Sequence, residues 1–415
     1  MKLRVHHISP LQRPGKRDVC RTCNLLELYN KGECDLSQEQ LGGIASHKAV
    51  ADSMKNLREA CKQAFEIPGW GKNKYVLFEF DYGESICLPL LWACQVGDAH
   101  FLNIVKVHVF CIKDHTLLVC GAHDPSKCDV KKRHVLCACH NECQCPVSRH
   151  CYAYDERSCE KKSHSVHLSM LYHFLITQHG PIEDRYIVTF CDGANRSNIS
   201  VRFVVWFALV SRVHWVHAVT VSGHGHGGAD SCNGDVRVKA LHIKNIFDMH
   251  GLEEAWAKAA RRARAKGKDP IAFHICQNSE FADVGEPLGE YFVQLPPNIL
   301  NNYFLFIGDA DHPGELGVCR SAADLCAFAD LPLLEMDDWE LGSRRFRFNL
   351  LKTGISAEDA RAGLRDMFME APMFDRKCLS EEKQEALLKF KGDGKLGRLI
   401  GKSYDYFYAR DYQAP

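Results

Sequence analysis

The run Tyr186-Ile-Val-Thr-Phe-Cys191 most constrains what this chain can fold into. It is short, continuous and rich in β-branched and aromatic residues, as a strand buried on both faces must be, and it ends on Asp192. Its surroundings alternate. Ser165 to Gln178 places Val166, Met170, Leu171, Phe174 and Leu175 on one helical face, and His179-Gly180-Pro181 stops it. After Asp192, Asn198 to Val210 has helical length, and Val216-His-Ala-Val-Thr-Val221 is another strand, running into Gly223-His224. Upstream, Tyr75-Val-Leu-Phe-Glu-Phe80 is a strand that delivers Asp81, and His108–Ile112 and Thr116–Cys120 are two more candidates. Strands and helices in this order predict an α/β layered sheet.

The flanks divide the chain into three parts. Residues 1–70 form a helical N-terminal segment, with helical spacing from Gln38 to Phe65 ahead of Ile67-Pro-Gly-Trp70. Residues 71–245 hold the alternating core, interrupted by a Cys/His-rich insertion over 120–151. Residues 246–415 read as an α+β region: a basic helix over 255–268, a strand at Tyr303–Ile307, and helices before the aromatic tail Tyr404–Tyr408. No apolar stretch reaches the roughly 18 residues of a membrane span, and the first residues lack a signal-peptide pattern. A membrane partner is not expected.

The chain has 21 cysteines among its 415 residues, more than a core this large needs as disulfide staples. Their clustering beside histidines reads as reduced thiols, some on structural zinc; an extracellular disulfide protein is the competing reading. Cys20-x-x-Cys23 brings two thiolates to one ion, with Cys34 and His47 as candidates to complete a Cys3His site. The inner set is Cys120, His123, Cys128, Cys137, Cys139, His140, Cys143, Cys145, His150 and Cys151, whose irregular spacing leaves the ligand set unresolved.

Asp81, Asp192 and Asp230 each follow a strand candidate. A lone strand-end Asp is usually a turn-former or helix cap. Three in succession suit a site in which carboxylates from separate segments hold two divalent ions on a phosphodiester. Lys+Arg and Asp+Glu both number 52, so nucleic acid would be met through local patches. The candidates are Lys258 to Lys268, including Arg261, Arg262 and Arg264, and the run Arg344-Arg345-Phe-Arg347; either could equally be a solvated face.

In their order, Phe78-Glu-Phe-Asp81 with Leu88-Pro89, Tyr154-Asp-Glu156 with Lys161-Lys162 and Ser169-Met-Leu171, Cys191-Asp192-Gly-Ala-Asn195-Arg-Ser-Asn198, and Gly223-His224 with Asp230 resemble a eukaryotic family of transposon-derived proteins with a DDE-type, integrase-like core. Asn302-Tyr-Phe-Leu-Phe306 and His312-Pro-Gly314 extend the likeness toward the tail. The resemblance implies an RNase H-like mixed sheet flanked by helices, with Asp81, Asp192 and Asp230 holding Mg2+ or Mn2+ and His224 beside the third acid as a further catalytic group. It implies a transposase or derived nuclease acting on DNA in the nucleus; Asn195, Arg196 and Asn198 are candidates to contact phosphate or to cap the next helix, and a homo-oligomer is left open.

This chain departs from the family pattern in three ways. The strand exit after Asp192 is shortened and lacks the usual Gln, Gly225-His226-Gly227-Gly228 replaces a turn that carries a hydroxyl or basic residue, and Asp235 competes with Asp230. The alternative is therefore a domesticated, catalytically inactive zinc-stabilised module that binds DNA or protein. A zinc hydrolase using His and Cys ligands directly is a third reading, and it requires an open coordination position.

Overall fold

A computed structural model of the chain describes residues 20–65, 75–88, 90–91, 105–116, 147–159, 162–221, 224, 227–241, 245–246, 248–265, 271–320, 345–375, 377 and 379–385. Strands are numbered β1 (Tyr75–Tyr82), β2 (Ile86–Leu88), β3 (Leu90–Leu91), β4 (Val105–Asp114), β5 (Arg149–Asp155), β6 (Tyr186–Cys191), β7 (His214–Val219), β8 (Asn245–Ile246), β9 (Ala272–Ile275), β10 (Leu305–Gly308), β11 (Glu315–Cys319) and β12 (Arg345–Asn349). The helices that matter here are α1 (Arg21–Asn30), α2 (Gln38–Phe65), α3 (His164–His179), α4 (Asn198–Ser211), α5 (Gly228–Leu241) and α6 (Met249–Ala265).

Ten strands form one mixed sheet in the order β12-β11-β10-β7-β6-β1-β4-β5-β9, with β2 paired to the start of β4. At its centre, β1 runs antiparallel to β4 and β4 antiparallel to β5, while β6 lies parallel to β1 and β7 parallel to β6. Helix α3 connects β5 to β6 and α4 connects β6 to β7. The register Phe80↔Cys191 means that the next residues, Asp81 and Asp192, leave neighbouring parallel strands side by side. No helix among the described residues is long and apolar enough to cross a membrane.

Both faces of the sheet are covered. On one face, Phe78, Phe80, Phe110, Tyr152 and Tyr154 pack against α3 and α4. Every residue of α4 from Ser200 to Leu209 is buried, which explains why its sequence is apolar all round rather than on one stripe. On the other face, α2 lays Met54, Leu57 and Cys61 on Leu77, Val188 and Phe190, and α5 and α6 cover Val107, Val109, Cys111 and Cys151 with Cys232, Val236, Leu252 and Trp256.

The expected three-part division does not match this layering. β9 joins the edge beside β5, and β10 to β12 extend the edge beside β7, so residues on both sides of position 245 build one sheet. Likewise α2, read as part of a separate N-terminal segment, is a layer of the same core. Composition shifts mark changes of element, but strand pairing between distant segments decides what shares a core. The strand expected at Thr116–Cys120 lies outside the described residues after Thr116, whose Oγ1 accepts from Leu77 N at 2.9 Å. The insertion over 120–146 and the tail Tyr404–Tyr408 lie outside them entirely.

Candidate functional site

Along β1 successive side chains point to opposite faces, so Glu79 and Asp81 share the α2/α5 face while Phe78 and Phe80 enter the aromatic core. Asp81 Oδ1 accepts from Tyr82 N at 2.8 Å. Asp192 N-caps a single 3-10 turn, Gly193–Asn195, and accepts from Gly193 N at 2.6 Å. Asp230 lies in the first turn of α5, where its Oδ2 accepts from Gly227 N at 2.8 Å. The three are close enough to interact: burial, then Asp230, then Asp192 push the Asp81 carboxyl up to about 7. Like charges confined together in this way favour a bound cation.

Glu79, one pleat before Asp81, fixes α5 in place. Its Oε2 accepts from Gly228 N at the start of α5, and its Oε1 lies 2.6 Å from Lys62 Nζ and 3.1 Å from His115 Nε2. Burial pushes the Glu79 carboxyl up, but His115 and Lys62 outweigh it and hold the group well below the usual carboxylate range. An anion at a helix N-terminus meets exposed N–H groups and the positive end of the dipole. The approach is so close that a Cβ at Gly227 would collide with the Glu79 carboxylate, which gives that glycine a steric cause. Lys162 adds a cation beside the acids: its Nζ donates to Gly83 O at 2.6 Å and lies 5.2 Å from the centre of the Tyr82 ring. Burial lowers the Lys162 ammonium, and Asp81 and Glu84 oppose that.

Neither Glu79 nor Lys162 was assigned a role from sequence. The only signal for Glu79 is a charge inside an otherwise apolar strand. For Lys162 there is only the pair Lys161-Lys162.

His224 stands elsewhere than expected. Its Nε2 lies 3.4 Å from Cys23 Sγ and 3.3 Å from His47 Nε2, and Cys20 Sγ lies 3.0 Å from His47 Nε2. The donor atoms of Cys20, Cys23, His47 and His224 all fall within 4.8 Å of one another. His224, expected beside the third acid, groups with Cys20, Cys23 and His47, the place for which Cys34 was the expected candidate. Cys34 Sγ donates to Leu25 O at 3.7 Å and stands outside the cluster.

Several other expected contacts are occupied within the fold. Arg196 donates to Tyr303 O at 3.3 Å and Asn301 O at 3.5 Å and stacks on Phe304, so it braces the approach to β10. Ser197 caps α4, whereas Asn198 Oδ1 accepts from Leu295 N at 2.7 Å. Asp235 pairs with Arg149 at 2.5 Å and does not compete with Asp230. His150 and Cys151 are buried in β5, a strand of the sheet. Asn195 is buried, and its Nδ2 has no partner among the described residues.

Arg261 and Arg262 are exposed on α6, and Arg264 continues the same helix. Arg345 pairs in β12 opposite Cys319, and Arg344 lies outside the described residues. Arg347 reaches Asp309 at 3.2 Å. Asp309 also gathers His214 and His312, at 2.9 and 2.8 Å. With Asp311 it could ligate an ion, but its oxygens already have these partners. Cys120, His123, Cys128, Cys137, Cys139, His140, Cys143 and Cys145 fall outside the described residues.

Compared with known proteins, the chain matches no family model, and no curated protein or solved structure resembles it significantly.

Proposed function

We propose that this chain has an RNase H-like core and is a DDE-type transposase or derived nuclease, which hydrolyses phosphodiesters of DNA and transfers strands with two divalent ions. The observation that carries the reading is that Asp81 on a central strand feels the charges of Asp230, at a helix N-terminus, and of Asp192, at the end of the parallel neighbour, although the three do not form a group whose donor atoms all fall within 4.8 Å. An antiparallel unit β5-β4-β1 continued by parallel β6 and β7, with helices in the two crossovers, is the frame such a core requires.

Asp81, Asp192 and Asp230 would hold Mg2+ or Mn2+. Their carboxylates suit hard oxygen-seeking cations; burial first, and then the charges of Asp230 and Asp192, raise the Asp81 carboxyl, and a bound cation would oppose that rise. When bound, the ions activate the attacking water or 3′-hydroxyl and stabilise the leaving oxygen. The chain's own residues set the stage. Glu79 anchors the turn that presents Asp230, the 3-10 turn presents Asp192, and Lys162 supplies a positive group beside the acids for a phosphate. Arg261 and Arg262 offer an exposed basic surface for the DNA backbone. A nucleus is the compartment this substrate implies.

The test is divalent-metal-dependent cleavage of DNA by the full chain and by Asp192→Asn, with circular dichroism showing both folded. The expected result is a loss of about a thousandfold in the variant, because one of three shared ligands loses its charge. Equal cleavage by both, or none by either, overturns the reading and leaves a non-catalytic binding module.

A further inference from the structure

We infer that Cys20, Cys23, His47 and His224 form a closed tetrahedral site for one structural zinc-type ion, which clasps the α1–α2 hairpin to the segment between β7 and α5. The four donors come from three parts of the chain: the start of α1, the middle of α2, and the segment after β7. Zinc binds thiolate sulfur at about 2.3 Å and imidazole nitrogen at about 2.0–2.1 Å. A tetrahedral angle then sets sulfur and nitrogen about 3.6 Å apart and two nitrogens about 3.3 Å apart. The two nitrogens stand 3.3 Å apart, and Cys23 Sγ and Cys20 Sγ lie 3.4 and 3.0 Å from their imidazole neighbours. Two soft sulfurs with two imidazoles select zinc over magnesium or calcium. Four protein donors leave no position for water, so the ion is structural.

A second observation points to the same ion. α1 has only ten residues and none of them is buried. Its Leu25 and Tyr29 are each 37% exposed, and its N-cap residue, Cys20, makes no side-chain capping bond. A helix this short is marginal in water even with good helix formers and needs tertiary anchorage. Apolar burial supplies little of it here. Cys20, immediately before the helix, is buried, and Cys23 lies in its first turn, so the anchorage converges on the cluster.

His224 also makes the clasp reach the acid site. It stands six residues before Asp230, and its N–H donates to Val221 O at 2.9 Å just past β7. An ion bound there restrains the approach to α5 from the outside, as Glu79 restrains it from the sheet. This last link rests on the proposed function; the metal site itself does not.

The experiment counts zinc in the purified full chain after dialysis against a competing chelator. Because the 120–151 segment holds further cysteines, the readout is the difference from wild type. Cys23→Ser and His224→Ala are each expected to lose one equivalent and Cys34→Ser none. Limited proteolysis after stronger chelation should cut near α1, and added Zn2+ should restore resistance, which reads the clasp without any substitution. A wild-type zinc count in His224→Ala, or a lost equivalent in Cys34→Ser, overturns the assignment. So does proteolysis that is indifferent to chelation. Asp192→Asn should keep the full zinc count, so failure of the clasp and failure of the nuclease reading are told apart.

Discussion

The two faces of the central sheet do different work, although they share strands. Toward α3 and α4, β1 contributes Val76, Phe78 and Phe80 to a core containing Phe174, Phe203, Trp206, Phe207 and Trp215. Burial favours the neutral form of two histidines in that layer: it lowers His217 to about 4 and His167 well below its ordinary value. Toward α2 and α5, the same strand offers Leu77, Glu79 and Asp81 in turn, and the helices answer with Lys62 and Asp230. The first face is mainly aromatic and closes its buried Asp114 with His179 at 3.0 Å, whereas the second sets Glu79 against Lys62 and gathers the like charges of Asp81 and Asp230. The proposed cation site would need negative groups kept ionised or poised, which a rigid apolar layer behind them favours.

Three substitutions sharpen that contrast. Trp206 is buried against Phe203 and Phe368 and donates Nε1–H to Leu364 O at 2.9 Å. Trp206→Ala is expected to lower stability by about 3–5 kcal/mol in urea unfolding while leaving zinc content unchanged in the folded fraction. A loss below about 1 kcal/mol would mean that the aromatic layer is not the structural half.

Glu79→Gln takes from Lys62 its nearer carboxylate and leaves Glu59 at 3.8 Å, at a cost of about 2–3 kcal/mol, less than for a fully buried pair because Lys62 keeps this second partner and some exposure. The folded-state value of Glu79 is lowered, so its contribution is present above the unfolded carboxylate's value near pH 4.5 and fades in acid. The gap between wild type and variant should therefore narrow as pH falls below about 4.5. The same variant should impair cleavage, since Glu79 holds the helix that carries Asp230. Unchanged cleavage would break the link between this ion pair and the acids.

Asp81→Asn is expected to act in the opposite direction. Its folded-state value is raised from 3.8 to about 7, so folding is penalised increasingly as pH rises between those values. Without divalent ions the variant should be more stable than wild type by at least about 1 kcal/mol at about pH 8, with the difference vanishing near pH 4. Added Mg2+ should stabilise wild type and not the variant. Thermal denaturation across pH checks both signs, and a variant less stable at pH 8 would remove the like-charge reading.

Much of the fold was legible in local patterns. The strand Tyr186–Cys191 ends where its sequence says, helices α3 and α4 match their apolar spacing within a residue or two, and Tyr75–Phe80 lies within β1. These are short-range signals: period, chain stops and β-branched content. The three candidate acids stand out in sequence because each comes after an apolar run; in the structure Asp192 directly follows its strand, Asp81 is still within β1, and Asp230 begins a helix. The roles of Arg196, Asp235 and Cys34 were not legible, because each depends on a neighbour remote in sequence or on backbone close-up geometry.

By itself the amino-acid sequence determined the alternation of strands and helices, the three candidate acids in their order, and the Cys20-x-x-Cys23 pair, since these follow from spacing along a few consecutive residues. Tertiary structure alone decided that strands beyond residue 245 complete the sheet, that Glu79 seats α5, and that His224 joins Cys20, Cys23 and His47. The reason is one of range. His224 lies 177 residues from the imidazole it faces, and no local periodicity encodes which of 22 histidines closes such a distance. The packing of α2 and α5 on one face of β1 does.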